Sequence, residues 1–214
     1  MSAMLNTAIL RRTASFLLTG LFMLGLFVAP ARAQSAEQDI RAMLEKRDRD
    51  IKQAVKPLIY NPKTATEAQR EKAASLINDQ IDFEEMGRQA LGKYWADLTE
   101  AQRTDFVDVF AEIVRSQSLA DLDVYNARVI YEEISVDGDK AYVKTATTYQ
   151  DKQITVEYIL RSKENSWWLS DIILDAVGTV AGYARSFQTV IRKRGFDGLM
   201  KSLYKKRDKI QASS

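Results

Sequence analysis

The 214-residue chain contains no cysteine and no histidine, and its 31 basic and 29 acidic side chains give a formal net charge of +2. Without histidine there is no serine–histidine or cysteine–histidine catalysis and no zinc site built from His and Cys. The remaining catalytic vocabulary is carboxylates, lysine, tyrosine and serine. Without cysteine there are no disulfides, so a hydrophobic core must hold the chain together.

Residues 1–33 read as a cleavable signal peptide. Arg11 and Arg12 form a charged start, an uncharged stretch runs from Thr13 to Pro30, and Ala31-Arg32-Ala33 is a small-x-small cleavage site ahead of Gln34. The apolar run is short for a spanning helix, which favours export with cleavage over an anchor. RRTASFL matches a twin-arginine signal only loosely and leaves the export route open. Removing Arg11, Arg12 and Arg32 leaves 28 basic against 29 acidic side chains. The basic pI of the precursor therefore belongs mostly to the leader, which argues against nucleic acid as a partner. Residues 34–214 suit one domain, expected to be soluble because no further apolar run can span a bilayer.

From Glu37 to Val55 a helical stripe of Ile40, Met43, Leu44, Ile51 and Val55 runs through a highly charged segment, and Pro57 and Pro62 are expected to end it. Thr64-x-x-Glu67 reads as a capping box opening a second helix to about Asn78. Asp82-x-x-Glu85 caps a third helix, DFEEMGRQAL, which Gly92 closes. Thr99-x-x-Gln102 opens a fourth, with Phe106, Val109, Phe110, Ile113 and Val114 on its apolar face.

The period then changes. RVIYEEISV and KAYVKTATTY flank Asp137-Gly138, a hairpin signal. QITVEYILR alternates Ile154, Val156, Tyr158 and Leu160 against Thr155, Glu157, Ile159 and Arg161. WWLSDIIL predicts a fourth strand with Trp168, Ser170, Ile172 and Leu174 on one face. Four consecutive strands with short turns imply an antiparallel meander and an α+β fold. Two helices follow. Val180, Tyr183, Ala184, Phe187, Val190 and Ile191 form the apolar face of the first, and Gly195 ends it. Asp197 caps the second, whose outer side carries Lys201, Lys205, Lys206, Arg207 and Lys209. That basic side suits either acidic partners and anionic headgroups or plain solvent.

The acidic pairs Glu84/Glu85, Glu132/Glu133 and Asp121/Asp123 are sequence neighbours. Glycosidase chemistry needs two carboxyls facing each other across a bond, and neighbours on a strand point to opposite faces. Surface or capping roles fit them better than catalysis. GTVAG lacks the spacing of a phosphate loop. Asp171 reads as an outward strand residue and Asp175 as a cap at the helix entry. The aromatic residues lie near the apolar faces, and a packed core suits each one singly. Taken together, a curved sheet with helices on its concave side also leaves room for an apolar cavity. Both readings stay open on composition and periodicity.

Three segments resemble one family. IDFEEMGRQALGKYWADLTEAQRTDFVDVF is similar to a DF…LG-x-YW…T-x-x-Q…F…F block, WWLSDIILDAVGTVAGYARSFQTVI to a strand-to-helix segment ending in a tyrosine and a phenylalanine, and RKRGFDGLMKSLYKK to a closing GG-x-DGLI pattern. In this order, spanning about Ile40 to Lys206, they resemble the MlaC, or toluene-tolerance, family of periplasmic phospholipid-binding proteins. That family's Tyr-Arg-Ser-x-Phe is Tyr183-Ala184-Arg185-Ser186-Phe187 here, so the arginine is displaced by one position, about 100° around a helix. The double glycine is Arg194-Gly195.

The resemblance implies a non-enzymatic periplasmic carrier, monomeric, with a curved four-stranded sheet and helices enclosing an apolar pocket. It implies no cofactor beyond bound phospholipid as cargo. Its implied partners are an inner-membrane MCE-domain ABC transporter and an outer-membrane lipoprotein/porin complex, with a role in outer-membrane lipid asymmetry. The pocket is expected to involve Phe106, Phe110, Tyr142, Val156, Tyr158, Ile172, Val177, Tyr183 and Phe187, with Lys93 or Arg185 at the headgroup. Another lipid such as a hopanoid as cargo, an adaptor with a filled core, and a carboxylate-dependent cell-wall hydrolase remain the alternatives.

Overall fold

Helix starts fall where a side chain can take over an unpaired backbone amide. In the computed structural model, which describes residues 29–212, Thr99 accepts from the backbone N–H of Gln102, whose side chain accepts in return from the N–H of Thr99. This opens α4 (Glu100–Ser118), after α1 (Ala29–Tyr60), α2 (Glu67–Asn78) and α3 (Phe83–Leu91). Asp82 caps α3 through the amide of Glu85, and Gly92 closes it at φ 58°. The expected leader lies outside the described residues, apart from its last five positions, which begin α1.

Two helix boundaries differ from expectation. Pro57 sits inside α1, which continues to Tyr60. Its missing N–H costs one hydrogen bond near the helix end, while Val55 and Leu58 on either side are buried against Ala73 and Ile77 of α2. Packing outweighs the local break. The capping box of α2 belongs to Thr66 and Gln69, not Thr64 and Glu67. Thr64 instead donates its hydroxyl to the carbonyl of Asn61.

The sheet is an antiparallel meander in the order β1-β2-β3-β4-β5. Its strands are β1 (Val129–Asp137), β2 (Lys140–Tyr149), β3 (Lys152–Lys163), β4 (Ser166–Leu174) and a two-residue β5 (Val177–Gly178). The fifth strand is an addition to the expected four. It comes from the turn at Asp175-Ala176, where both residues take positive φ and the chain doubles back on β4.

Register defines the faces. Tyr158 pairs with Val143 and Ile172, and Leu160 with Ala141 and Leu169, so these residues share the inward face. Pairing slips between Ile159 and Leu160, leaving Ser170 as the extra residue on β4. The slip places Trp167 and Leu169, rather than Trp168, on the face of Ile172 and Leu174, which corrects the expected alternation. Across this face lie Ile40 and Leu44 of α1, Met86 and Leu91 of α3, and Phe106, Phe110 and Ile113 of α4.

α5 (Thr179–Gln211) follows β5 and contains one break at Gly195, with φ 73° and ψ 177°. That backbone conformation is essentially restricted to glycine. Before the break α5 runs antiparallel to α4, as Phe187 meets Phe106 and Tyr183 reaches Gln117. After it the chain runs parallel to α4, as Tyr204 bonds Asp105 and Gln211 bonds Glu112. The two halves of α5 thus face each other as a V.

Candidate functional site

α4 and α5 meet through a connected set of rings. Phe106 and Phe110, four residues apart on α4, stack with centroids 5.6 Å apart. Phe187 meets both edge-on at 5.9 Å. Tyr183 meets Phe110 edge-on at 5.0 Å and Phe187 at 5.2 Å. Such pairs contribute about 0.5–1.5 kcal/mol each beyond their burial. Phe106 and Phe110 have no exposed surface, so this part of the interior is closed.

Beside the rings lies a groove of about 480 Å³. Ile113 and Gln117 of α4 form one wall. Thr179, Gly182, Tyr183, Ser186, Phe187 and Val190 come from the first half of α5, and Leu199, Ser202, Leu203 and Lys206 from the second. The base is apolar, since Ile113, Phe187, Leu199 and Leu203 are buried residues of the main core. Hydroxyls and one ammonium ring the upper edge. The Tyr183 phenol donates to the Gln117 side-chain carbonyl, and burial pushes its pKa up, keeping it a neutral donor. At the strand end, Thr179 donates its hydroxyl to the carbonyl of Ile172 at 2.7 Å, tying the groove to β4.

A second depression of about 530 Å³ lies between α4 and the second half of α5. Its rim mixes Asp105, Asp197 and Asp208 with Lys201 and Lys205, so neither sign of charge dominates it.

The structure sorts the sequence-predicted residues. Phe106, Phe110, Tyr183 and Phe187 come together, the last two on the groove. Val156, Tyr158 and Ile172 lie on the inward face of the sheet. The Tyr158 phenol is raised in pKa chiefly by burial and also by the Asp48 charge, with a hydrogen bond to Thr145 opposing. Val177, in β5, is 60% exposed. Tyr142 stands apart. It pairs with Ser135 and Ile159, so it lies on the opposite face from Val143 and Tyr158, beside Glu157. The pleat forbids it from sharing their pocket. Lys93 and Arg185 are both exposed, and the Lys93 ammonium lies 5.3 Å from the Tyr94 ring centroid.

Of the two aspartates at this junction, Asp171 takes the capping role expected of Asp175. Asp171 accepts from the N–H of Val180 at 3.0 Å and of Ile172 at 2.8 Å, which makes it the anchor of the start of α5. Burial raises its pKa, and the hydrogen bonds from Val180, Ile172 and Thr179 oppose that rise. Asp175 instead accepts from the N–H of Thr155 on β3. One member of each acidic pair is engaged elsewhere: Glu132 with Lys144, Glu85 with Arg88 and Arg161, Asp121 with the Tyr149 hydroxyl. Among the described residues no cluster of three or more His, Cys, Asp or Glu side chains is placed to hold a metal ion.

A family model described as MlaC protein matches residues 36–205. The chain belongs to the MlaC family. Among solved structures, a phospholipid-binding protein from Ralstonia solanacearum, determined in complex with a phospholipid, matches with a TM-score of 0.69 and 20% sequence identity. The match covers 79% of this chain and 97% of that one. At this identity the likeness shows a shared fold. No curated protein matches the chain in sequence.

Seen as an MlaC-family chain, its departures from the expected pattern have definite places. Arg185, the displaced arginine, points to solvent two positions after Tyr183. Gly195, left from the expected double glycine, is the break that folds α5 into a V. That fold-back sets Gln117, Gly182, Ser186, Ser202 and Lys206 beside Tyr183 and Phe187. Leu199 and Leu203 are apolar by residue type. No local pattern shows that they face Val190.

Proposed function

We propose that this chain is a periplasmic phospholipid carrier and not an enzyme, delivered by its leader and moving lipid between an outer-membrane lipoprotein/porin complex and an inner-membrane MCE-domain ABC transporter. The observation that carries the reading is the apolar-based groove walled by Tyr183 and Phe187. MlaC membership and a fold shared with a phospholipid-binding protein support it. Among the described residues no helix is long and apolar enough to cross a membrane.

The physical requirement for such a protein is simple. Exposing an acyl chain to water costs about 0.8 kcal/mol per methylene, so a chain of ~15 carbons faces roughly 12 kcal/mol. An apolar groove relieves that cost without any reaction. A neutral phenol, hydroxyls and an amide at its edge can meet the glycerol and ester region by hydrogen bonding.

The direct test is organic extraction and mass spectrometry of the mature protein purified from a Gram-negative periplasm. Co-purifying phospholipid is the expected result. A second reading, an adaptor whose interior is full, draws on the wholly buried Phe106 and Phe110. Lipid-free protein with undiminished binding to its membrane complexes would favour that reading and end the carrier proposal.

A further inference from the structure

The glycine at position 182 has no structural reason to be glycine. It sits within the first half of α5, where glycine is the poorest helix former after proline. A Cβ added there meets nothing within 4 Å, and its φ is not in the left-handed region. Gly87 contrasts with it: a Cβ there would stand 2.8 Å from the ring of Phe106. Gly195 contrasts in another way, needing its positive φ for the break. What Gly182 does is leave space in the wall of the groove.

The second observation is the charge on that groove. Of its lining residues Lys206 alone is charged, and no carboxylate accompanies it. None of the ion pairs among the described residues involves Lys206, whereas Arg207 beside it pairs with Asp208. A lone ammonium over an apolar base selects an amphiphile with one anionic group. The space, about 480 Å³, is enough to admit an acyl chain of ordinary length.

We infer that this groove is an acyl-chain subsite of the carrier, in which an acyl chain lies across Gly182 and the phosphate of the same lipid is held at Lys206. The inference rests on the carrier reading and deepens it. It assigns the anionic contact to Lys206 in place of Lys93 and Arg185, neither of which lines the groove.

The test uses the intact mature protein, delipidated and titrated by native mass spectrometry with three probes. These are palmitoyl-lysophosphatidylglycerol, with one chain and one phosphate; monopalmitoylglycerol, with one chain and no charge; and inorganic phosphate alone. Lys206→Gln is expected to weaken the phosphate-bearing amphiphile about 10- to 100-fold, the range of a charged hydrogen bond, and to leave the uncharged one unchanged. Lys206→Arg should retain both. Gly182→Leu is expected to weaken both amphiphiles by about tenfold or more through lost space, with the melting temperature unchanged or raised.

Equal losses for both amphiphiles in Lys206→Gln, no loss at all, or undiminished binding in Gly182→Leu would each overturn the subsite. So would inorganic phosphate competing as strongly as the lysophospholipid, since the ammonium would then be a free-anion site. If the subsite fails while phospholipid still extracts from periplasmic protein, the carrier reading stands and the chain binds elsewhere. If no probe binds and no lipid extracts, both fall.

Discussion

The two ends of the sheet's inward face are built from the same residue types and differ in their cover. At one end Ala141, Val143, Leu160 and Leu169 are 0–7% exposed beneath α1, α3 and α4. At the other, Val156 and Ile172 are only partly buried, Leu174 is 50% exposed and Val177 60%. Alternation assigns both ends to the interior. It is the overlying helices that decide which end is sealed, and they leave apolar surface open where β4 turns into α5 beside the groove. The sealed end is also clamped electrostatically. Arg161, next to Leu160, pairs with Glu85 of α3 at 3.0 Å, and Arg88 pairs with the same carboxylate.

Substitutions at the two ends should therefore separate widely. Leu160→Ala, at the sealed end, leaves a cavity no neighbour is free to fill, and a loss of about 2–5 kcal/mol is expected in chemical denaturation. An intermediate effect belongs to the clamp. Burial alone would raise the Glu85 pKa, but hydrogen bonds from Arg88 and Gln89 and the charges of Arg88 and Arg161 bring it below its ordinary 4.5. A carboxylate with a lowered folded pKa stabilises fully above the unfolded value and loses that contribution as pH falls through the folded one. Glu85→Gln should therefore cost about 1–3 kcal/mol at pH 7, and its difference from wild type should close as pH drops below 4.5. A difference that persists once Glu85 is protonated in both the folded and unfolded states would mean the side chain acts by packing. The smallest effect is expected at the open end: Leu174→Ala should change stability by no more than about 0.5 kcal/mol. A loss matching that of Leu160→Ala would show that the open end is covered in solution and erase the contrast.

Much of the fold was legible because it is written in local periods. The α4 stripe from Phe106 to Val114 is buried throughout, the box at Thr99 and the cap at Asp82 open their helices, and Asp137-Gly138 turns the first hairpin. What escaped depends on contacts or on choices between equal local signals. Thr64 and Thr66 both begin a Thr-x-x-Glu/Gln pattern, and only the second lies where the chain enters α2. The extra residue at Ser170 reverses the facing of Trp168 and Leu169, and nothing in WWLSDIIL announces a bulge. Tyr142 could have been placed outward from the alternation of Ala141 and Val143, but its size outweighed its parity. Of the site, the Tyr183–Phe187 wall was visible as a helical face. Gly182 stood in the sequence only as a glycine of GTVAG and Lys206 as one of the basic residues of the last helix, because their relation exists only after the chain reverses at Gly195.

That reversal has a mechanical consequence. Two walls of the groove are successive stretches of one helix joined at one residue, so their spacing is set by a single joint. The outer arm is held to α4 by Tyr204 on Asp105, by Gln211 on Glu112, and by the burial of Leu199, Met200 and Leu203. The two torsions of Gly195 set the direction of that arm, and with it the place of Lys206, without involving any strand pairing. The aperture of this molecule is thereby separable from its frame: the sheet fixes where the groove is, and one glycine fixes how wide.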